Sequence, residues 1–185
     1  MIKGLYDFAK KWSMTGSVFL YSDPHFDDDT AELFNYMKPE EQINRINTLV
    51  HRDDYLVILG DFGDPKWLEK LKCKHLIGIM GNHDQSKEKY SPYFEELYDG
   101  PLFISKKILL SHEPIYGLDF CFNIHGHCHN GNLYDDNHIN LAADVIDYTP
   151  ISLGKLIKDG ILARIQSIHR ITIDNATERK MTMGD

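Results

Sequence analysis

Cysteine is scarce in this 185-residue chain: Cys73, Cys121 and Cys128 are all there is. An odd count without C-x-x-C spacing argues against a disulfide framework and fits reduced thiols in a cytoplasmic protein. Basic residues are also in deficit, with 20 Lys and Arg against 28 Asp and Glu and a formal net charge of -8. That balance argues against an extended nucleic-acid footprint, which needs basic patches. It does not exclude a small phosphate substrate, because bound divalent cations reverse the field locally. No apolar stretch approaches the roughly 18 residues of a membrane span. The N-terminal segment "MIKGLYDFAKKWSMTG" holds no continuous apolar core of signal-peptide length. The sequon at Asn175 to Thr177 is expected to be fortuitous.

Apolar residues make up 42% of the chain, enough for a sizeable core. With no repeat, low-complexity segment or linker, residues 1–185 are expected to form one domain. Ile2, Leu5, Tyr6, Ala9 and Trp12 recur at helical spacing, so a short N-terminal helix is expected. Three nearly continuous apolar runs follow, at 17–22, 55–60 and 75–81, as in strands buried on both faces. Helical segments at 39–51 and 65–72, each opening on proline, separate them. This alternation predicts parallel α/β structure. Beyond residue 100 the pattern turns to closely spaced strands, 102–113 around a Lys-Lys turn, 120–130 and 138–146, read as a meander or hairpins. Ser152 is placed to cap a helix to about residue 160, Ile161, Ile165 and Ile168 suggest a last helix, and the tail is expected to fray.

Polar residues gather where the buried runs stop. The first ends at Asp23 and His25, the second at Asp61, and the third at Gly81-Asn82-His83-Asp84. A later strand ends at His112, and a His-rich loop carries His127 and His129. In parallel α/β sheets, ligands collect beyond the carboxyl ends of strands, so these distant residues can converge. The donors are carboxylate, imidazole and amide oxygen without thiolate, a mixture that favours Mn, Fe, Zn or Ni over Ca or Mg. In extended chain, Asp23 and His25 face the same way, as do His127 and His129. Seven ligands exceed one tetrahedral site and fit two divalent ions sharing a carboxylate. Taken singly, each motif has a bland reading. The Gly-Asn pair favours a turn, and a lone His112 suits a hydrogen-bonded core position. His125 is equally consistent with packing, outer-shell support or substrate contact. Cys128 is expected to be a buried thiol. Asp27, Asp28 and Asp29 read as a solvated loop, and His51, His75, His138 and His169 as structural.

Taken in order, D-x-H (Asp23, His25), GD (Asp61), GNHD (Asn82, His83), His112 and GHCH (His127, His129) resemble the calcineurin-like metallophosphoesterase superfamily, small bacterial and archaeal type. The resemblance implies two mixed β-sheets packed as a sandwich and flanked by helices. It implies one metal held by Asp23, His25, Asp61 and His129, and another by Asp61, Asn82, His112 and His127, with Asp61 bridging. It further implies hydrolysis of a phosphate ester by a metal-bridging hydroxide, with His83 as general acid. Asp64 matches the second Asp of the GDxxD pattern that supports this histidine in protein phosphatases. Asp84 is the rival, and would instead brace the loop.

The sequence departs from those phosphatases after Asp64, where Pro65-Lys66 replaces the phosphate-gripping arginine. A Ser/Thr protein phosphatase is therefore disfavoured. A monoester's second negative charge calls for a basic clamp, and none is evident. Phosphodiesters, including nucleotide-type substrates, are preferred over small monoesters. The alternative is a non-catalytic scaffold of the same fold, like the retromer subunit, which lacks the catalytic histidine. Oligomeric state is left open.

Overall fold

The computed structural model describes residues 1–33, 36–163, 165 and 168–182, with only the backbone described for 168, 169 and 171. His169 thus lies outside the described side chains. The three apolar runs form β1 (Val18–Tyr21), β2 (Tyr55–Leu59) and β3 (His75–Ile79). They pair in parallel, Leu20 beside Val57 and Val57 beside Ile77. β2 is central and buried at all five positions, which is why it carries no charged side chain. β4 (Glu96–Tyr98) extends the parallel sheet beyond β3, and β9 (Ile151–Ser152) closes the other edge antiparallel to β1. The sheet order is β4-β3-β2-β1-β9.

The second sheet holds β5 (Leu102–Ser105), β6 (Ile108–Leu110), β7 (Phe122–His125) and β8 (His138–Asn140) in that order. Only β5 and β6 form the expected hairpin. β6, β7 and β8 are mutually parallel, so the meander reading is corrected. The linking segments of about a dozen residues cross over without a helix, and their polar loops return at the same end as those of the first sheet. The fold is thus a sandwich of mixed sheets flanked by α-helices. α1 (Asp7–Lys10), α2 (Asp29–Leu33), α3 (Pro39–Leu49), α4 (Lys87–Tyr90), α5 (Leu153–Lys158) and α6 (Ile168–Thr182) supply the helices.

Local chemistry explains the shorter elements. The N-terminal helix is only α1 plus a 3-10 turn, because the Tyr6 amide bonds to the Ile104 carbonyl at 2.8 Å and ties the start of the chain to β5. Pro65–Lys70 is a 3-10 helix rather than an α-helix, consistent with its six residues. The predicted strand at 138–146 stops at Asn140. The predicted last helix is also corrected: turns occupy 159–163, Ile165 is a core residue, and α6 then runs through most of the expected frayed tail. Among the described residues no helix is long and apolar enough to cross a membrane.

One core, with Trp12, Leu20, Leu56, Ile58, Ile77, Ile104, Ile124 and Ile139 all buried, fills the sandwich. Leu56→Ala, at a fully buried position of β2, is expected to lower stability by about 2–5 kcal/mol. Urea denaturation checks this, and a change under about 1 kcal/mol would contradict a close-packed β2.

Candidate metal centre

The seven candidate ligands converge. Asp23 and His25 follow β1, Asp61 follows β2, and Asn82 follows β3. His112 follows β6, while His127 and His129 follow β7, so both sheets aim their parallel strand ends at one place. The loops after β1 and β2 run side by side, with Asp23 N donating to Gly60 O at 3.1 Å and His25 N to Asp61 O at 3.0 Å. Asp23, His25, Asp61 and His127 all adopt left-handed backbone, at φ 54°, 43°, 52° and 66°. The shared facing of the D-x-H pair therefore comes from a strained turn and not from extended chain, a correction to the spacing argument. Such strain in non-glycine residues concentrates at functional sites.

The donor atoms form two groups. Asp23, His25 and His129 make one, and Asp61, His112 and His127 the other, each with its donor atoms within 4.8 Å of one another. Asp61 joins them. Its Oδ2 lies 3.5 Å from His25 Nε2 and 3.4 Å from His112 Nε2. Asn82 Oδ1 lies 2.7 Å from His112 Nε2 and 3.0 Å from His127 Nδ1. Two of these atoms, His25 Nε2 and Asp61 Oδ2, are buried with no hydrogen-bond partner among the described residues. An orphaned buried acceptor is costly, and orphans facing each other across 3.5 Å fit a cation between them.

The electrostatics agree. Burial pushes the fully enclosed Asp23 carboxyl above its ordinary value, despite the nearby His112 and the donating His127 amide. His112 Nδ1 faces the Leu59 carbonyl at 2.8 Å, so Nε2 is left pointing at the oxygens of Asn82 and Asp61. Burial would lower the pKa of this imidazole, but Asp61 and the charge of Asp23 outweigh it and raise His112 to about 9. Something positive belongs at that point, whether a proton or a metal ion. The residues present fit two divalent cations.

Outer contacts hold the rings. His25 Nδ1 meets Asp28 Oδ2 at 2.6 Å, and His129 Nδ1 meets Asp144 Oδ1 at 3.1 Å. Asp144 also accepts from the Asn130 amide at 2.6 Å and from the Tyr36 hydroxyl at 3.1 Å. Burial opposes both charges of the Asp144–His129 pair and is outweighed. Asp144 sits below the usual carboxylate range and His129 above its ordinary value. Carboxylate–histidine pairs of this kind fix tautomer and ring orientation. Sequence reasoning missed both acids. Asp28 sat in an acidic run read as solvated, and Asp144 in a segment read as strand with no local signal.

Close approach explains two glycines. A Cβ on Gly81 would lie 2.2 Å from Asp61 Oδ1, and one on Gly126 would lie 2.1 Å from Asp23 Oδ2. Gly81 is therefore needed for space against Asp61, more than for a turn.

His83 is exposed, its amide donates to Asp61 Oδ1 at 2.9 Å, and its ring sits edge-on to His25 at 5.5 Å. The expected support from Asp64 is not formed among the described residues. Asp64 caps the 3-10 helix, accepting from Lys66 N at 3.0 Å and pairing with Lys66 Nζ at 2.9 Å. Asp84 braces the loop, accepting from the amides of Gly81, Phe62 and Asp61 at 2.7, 2.8 and 3.0 Å. Burial pushes Asp84 up to about 6 against those donors. His125 faces away from the centre. It is buried, bonds the Gly126 carbonyl at 2.7 Å, and lines a separate cavity with a partly exposed Cys128.

Sandwich and site together define a metal-dependent phosphoesterase-type protein. The chain belongs to the calcineurin-like phosphoesterase family, which matches residues 16–169. It is 29% identical over 172 residues to the uncharacterized protein MJ1445 of Methanocaldococcus jannaschii, covering 76% of this chain and 89% of that one. It also resembles the crystal structure of AQ665, a protein of unknown function from Aquifex aeolicus. That likeness has a TM-score of 0.64 and 27% identity, over 77% of this chain and 98% of that one.

Two outcomes test the centre. Asp144→Asn should weaken Mn²⁺ binding by about 10- to 100-fold in calorimetric titration, with an unchanged circular dichroism spectrum. Undiminished affinity would mean that His129 needs no such support. Because the metal-free site holds a proton on His112, a cation must displace it. Metal affinity should therefore fall as pH drops below about 9, with proton release seen in buffers of differing ionisation enthalpy.

Proposed function

We propose that this protein hydrolyses phosphodiesters at a dinuclear metal centre, with His83 as general acid. The observation that carries this reading is the shared, unpartnered Oδ2 of Asp61, set between the ring nitrogens of His25 and His112. Two bound divalent cations supply Lewis acidity and a water acidic enough to be a nucleophile near neutral pH. Mn, Fe, Zn and Ni all suit the donor set.

The chain's own residues do the rest. Asp23, His25, Asp61 and His129 would hold one ion, and Asp61, Asn82, His112 and His127 the other. His83 stands at the rim, its backbone N–H hydrogen-bonded to Asp61, and gives its proton to the departing oxygen. Exposure lets it meet substrate and regain a proton from solvent. The preference for diesters follows from charge. A monoester brings a second negative charge, which a basic clamp would balance. Lys66 is already tied to Asp27 at 3.1 Å and Asp64 at 2.9 Å.

Asp61→Asn should lose both metals and turnover, and a variant with full metal content would refute the bridge. His83→Ala should keep metal but slow hydrolysis by about 10²- to 10⁴-fold, most for esters with poor leaving groups. An unaltered rate would remove the acid role. Chelation should abolish hydrolysis of a bis-aryl phosphate and added Mn²⁺ should restore it; turnover that survives chelation would end the metal account.

A further inference from the structure

A cleft of about 240 Å³ opens directly on Asn82 and His112, between the segment after β3 and the segment after β6. Its walls include Met80, Pro101, Pro114 and Ile115, with Ile79 also in the lining. Apart from His112, its ionisable lining residues are the carboxylates Asp99 and Glu113, and no Lys or Arg lines it among the described residues. Asp99 is paired with Lys87 at 2.8 Å, whereas Glu113 is exposed.

The position of this cleft relative to His83 is informative. His83 packs against His25, on the side of the Asp23, His25 and His129 group. The cleft borders the opposite group, through His112 and its neighbour Asn82. A proton donor faces the leaving oxygen, so the leaving group lies toward His25. In an in-line displacement the place opposite the leaving oxygen belongs to the attacking nucleophile, and the retained substituent is equatorial, to the side of that line, where the cleft can receive it.

We infer that this cleft binds the retained arm of the diester and selects an uncharged, apolar or aromatic arm. The inference rests on the phosphodiesterase reading above. Whole drug-sized ligands occupy pockets of roughly 300 Å³ or more, so this cleft suits one ester substituent and not an entire dinucleotide. Apolar walls beside the centre bind such a group by removing it from water. The exposed Glu113 repels an arm carrying its own phosphate or carboxylate, whereas Lys87 offsets the charge of Asp99. A monoester has nothing to place there, which gives a second reason for diester preference, independent of the missing clamp.

The test holds the leaving group constant. Mn²⁺-loaded protein is assayed with methyl p-nitrophenyl phosphate, phenyl p-nitrophenyl phosphate and 4-carboxyphenyl p-nitrophenyl phosphate. The phenyl ester should exceed the methyl ester in kcat/KM by about tenfold or more, chiefly through KM. The carboxyphenyl ester should fall below the phenyl ester, and Glu113→Gln should narrow that gap. Ile115→Ala should reduce the phenyl-to-methyl ratio several-fold. Equal kcat/KM for methyl and phenyl esters, or a preference for the carboxylated arm, would overturn the cleft assignment and leave the phosphodiesterase reading standing. Hydrolysis of none of the three would overturn both.

Discussion

Asp61 Oδ2 and His25 Nε2 lie buried where two groups of carboxylate and imidazole donors meet, with no hydrogen-bond partner among the described residues. That single electrostatic deficit organises the molecule. Asp61 is 1% exposed and Asp23 is fully buried, so water cannot compensate them. A buried charge without a partner is among the most costly features a fold can hold. Here the cost is met by position, since each acceptor is aimed at a place where a cation relieves several at once. The left-handed backbone at four ligands and the glycines at 81 and 126 are geometric consequences of crowding so many donors together.

The architecture makes this possible by bringing two sheets to one end. β1, β2 and β3 are parallel and deliver Asp23, Asp61 and Asn82 from neighbouring strand ends. β6 and β7 are parallel in the other sheet and deliver His112 and His127. A parallel isolated bridge between Ser22 and Ala142 and the Tyr36–Asp144 bond draw the edges of the sheets across the same region. Each sheet alone would present half a site. Packed together, they offer two facing groups of ligands and one shared carboxylate.

That arrangement also makes the two sides of the centre different. His83 stands beside one ligand group, and the cleft walled by Met80, Pro101, Pro114 and Ile115 borders the other. Rings held by Asp28 and Asp144 keep the ligands oriented, while the exposed His83 is free of such ties among the described contacts.

Much of this was legible in the chain itself. The three apolar runs announce buried parallel strands because a strand covered on both faces excludes polar side chains. The ligands are legible because metal chemistry needs particular donor types, and these sit where the apolar runs stop. Short-range patterns could not reveal partners chosen across long sequence separations. Asp28 looked like one more solvated acid, and Asp144 like part of a strand. Asp64 matched a familiar spacing, yet the adjacent Lys66 claims its carboxylate. The parallel order of β6, β7 and β8 was equally hidden, since strand direction depends on where a crossover returns and not on composition. Donor identity, then, is a property of the sequence, whereas the pairing of sheets, the sharing of Asp61 and the two-sidedness of the centre exist only once packing brings remote segments within a few ångströms.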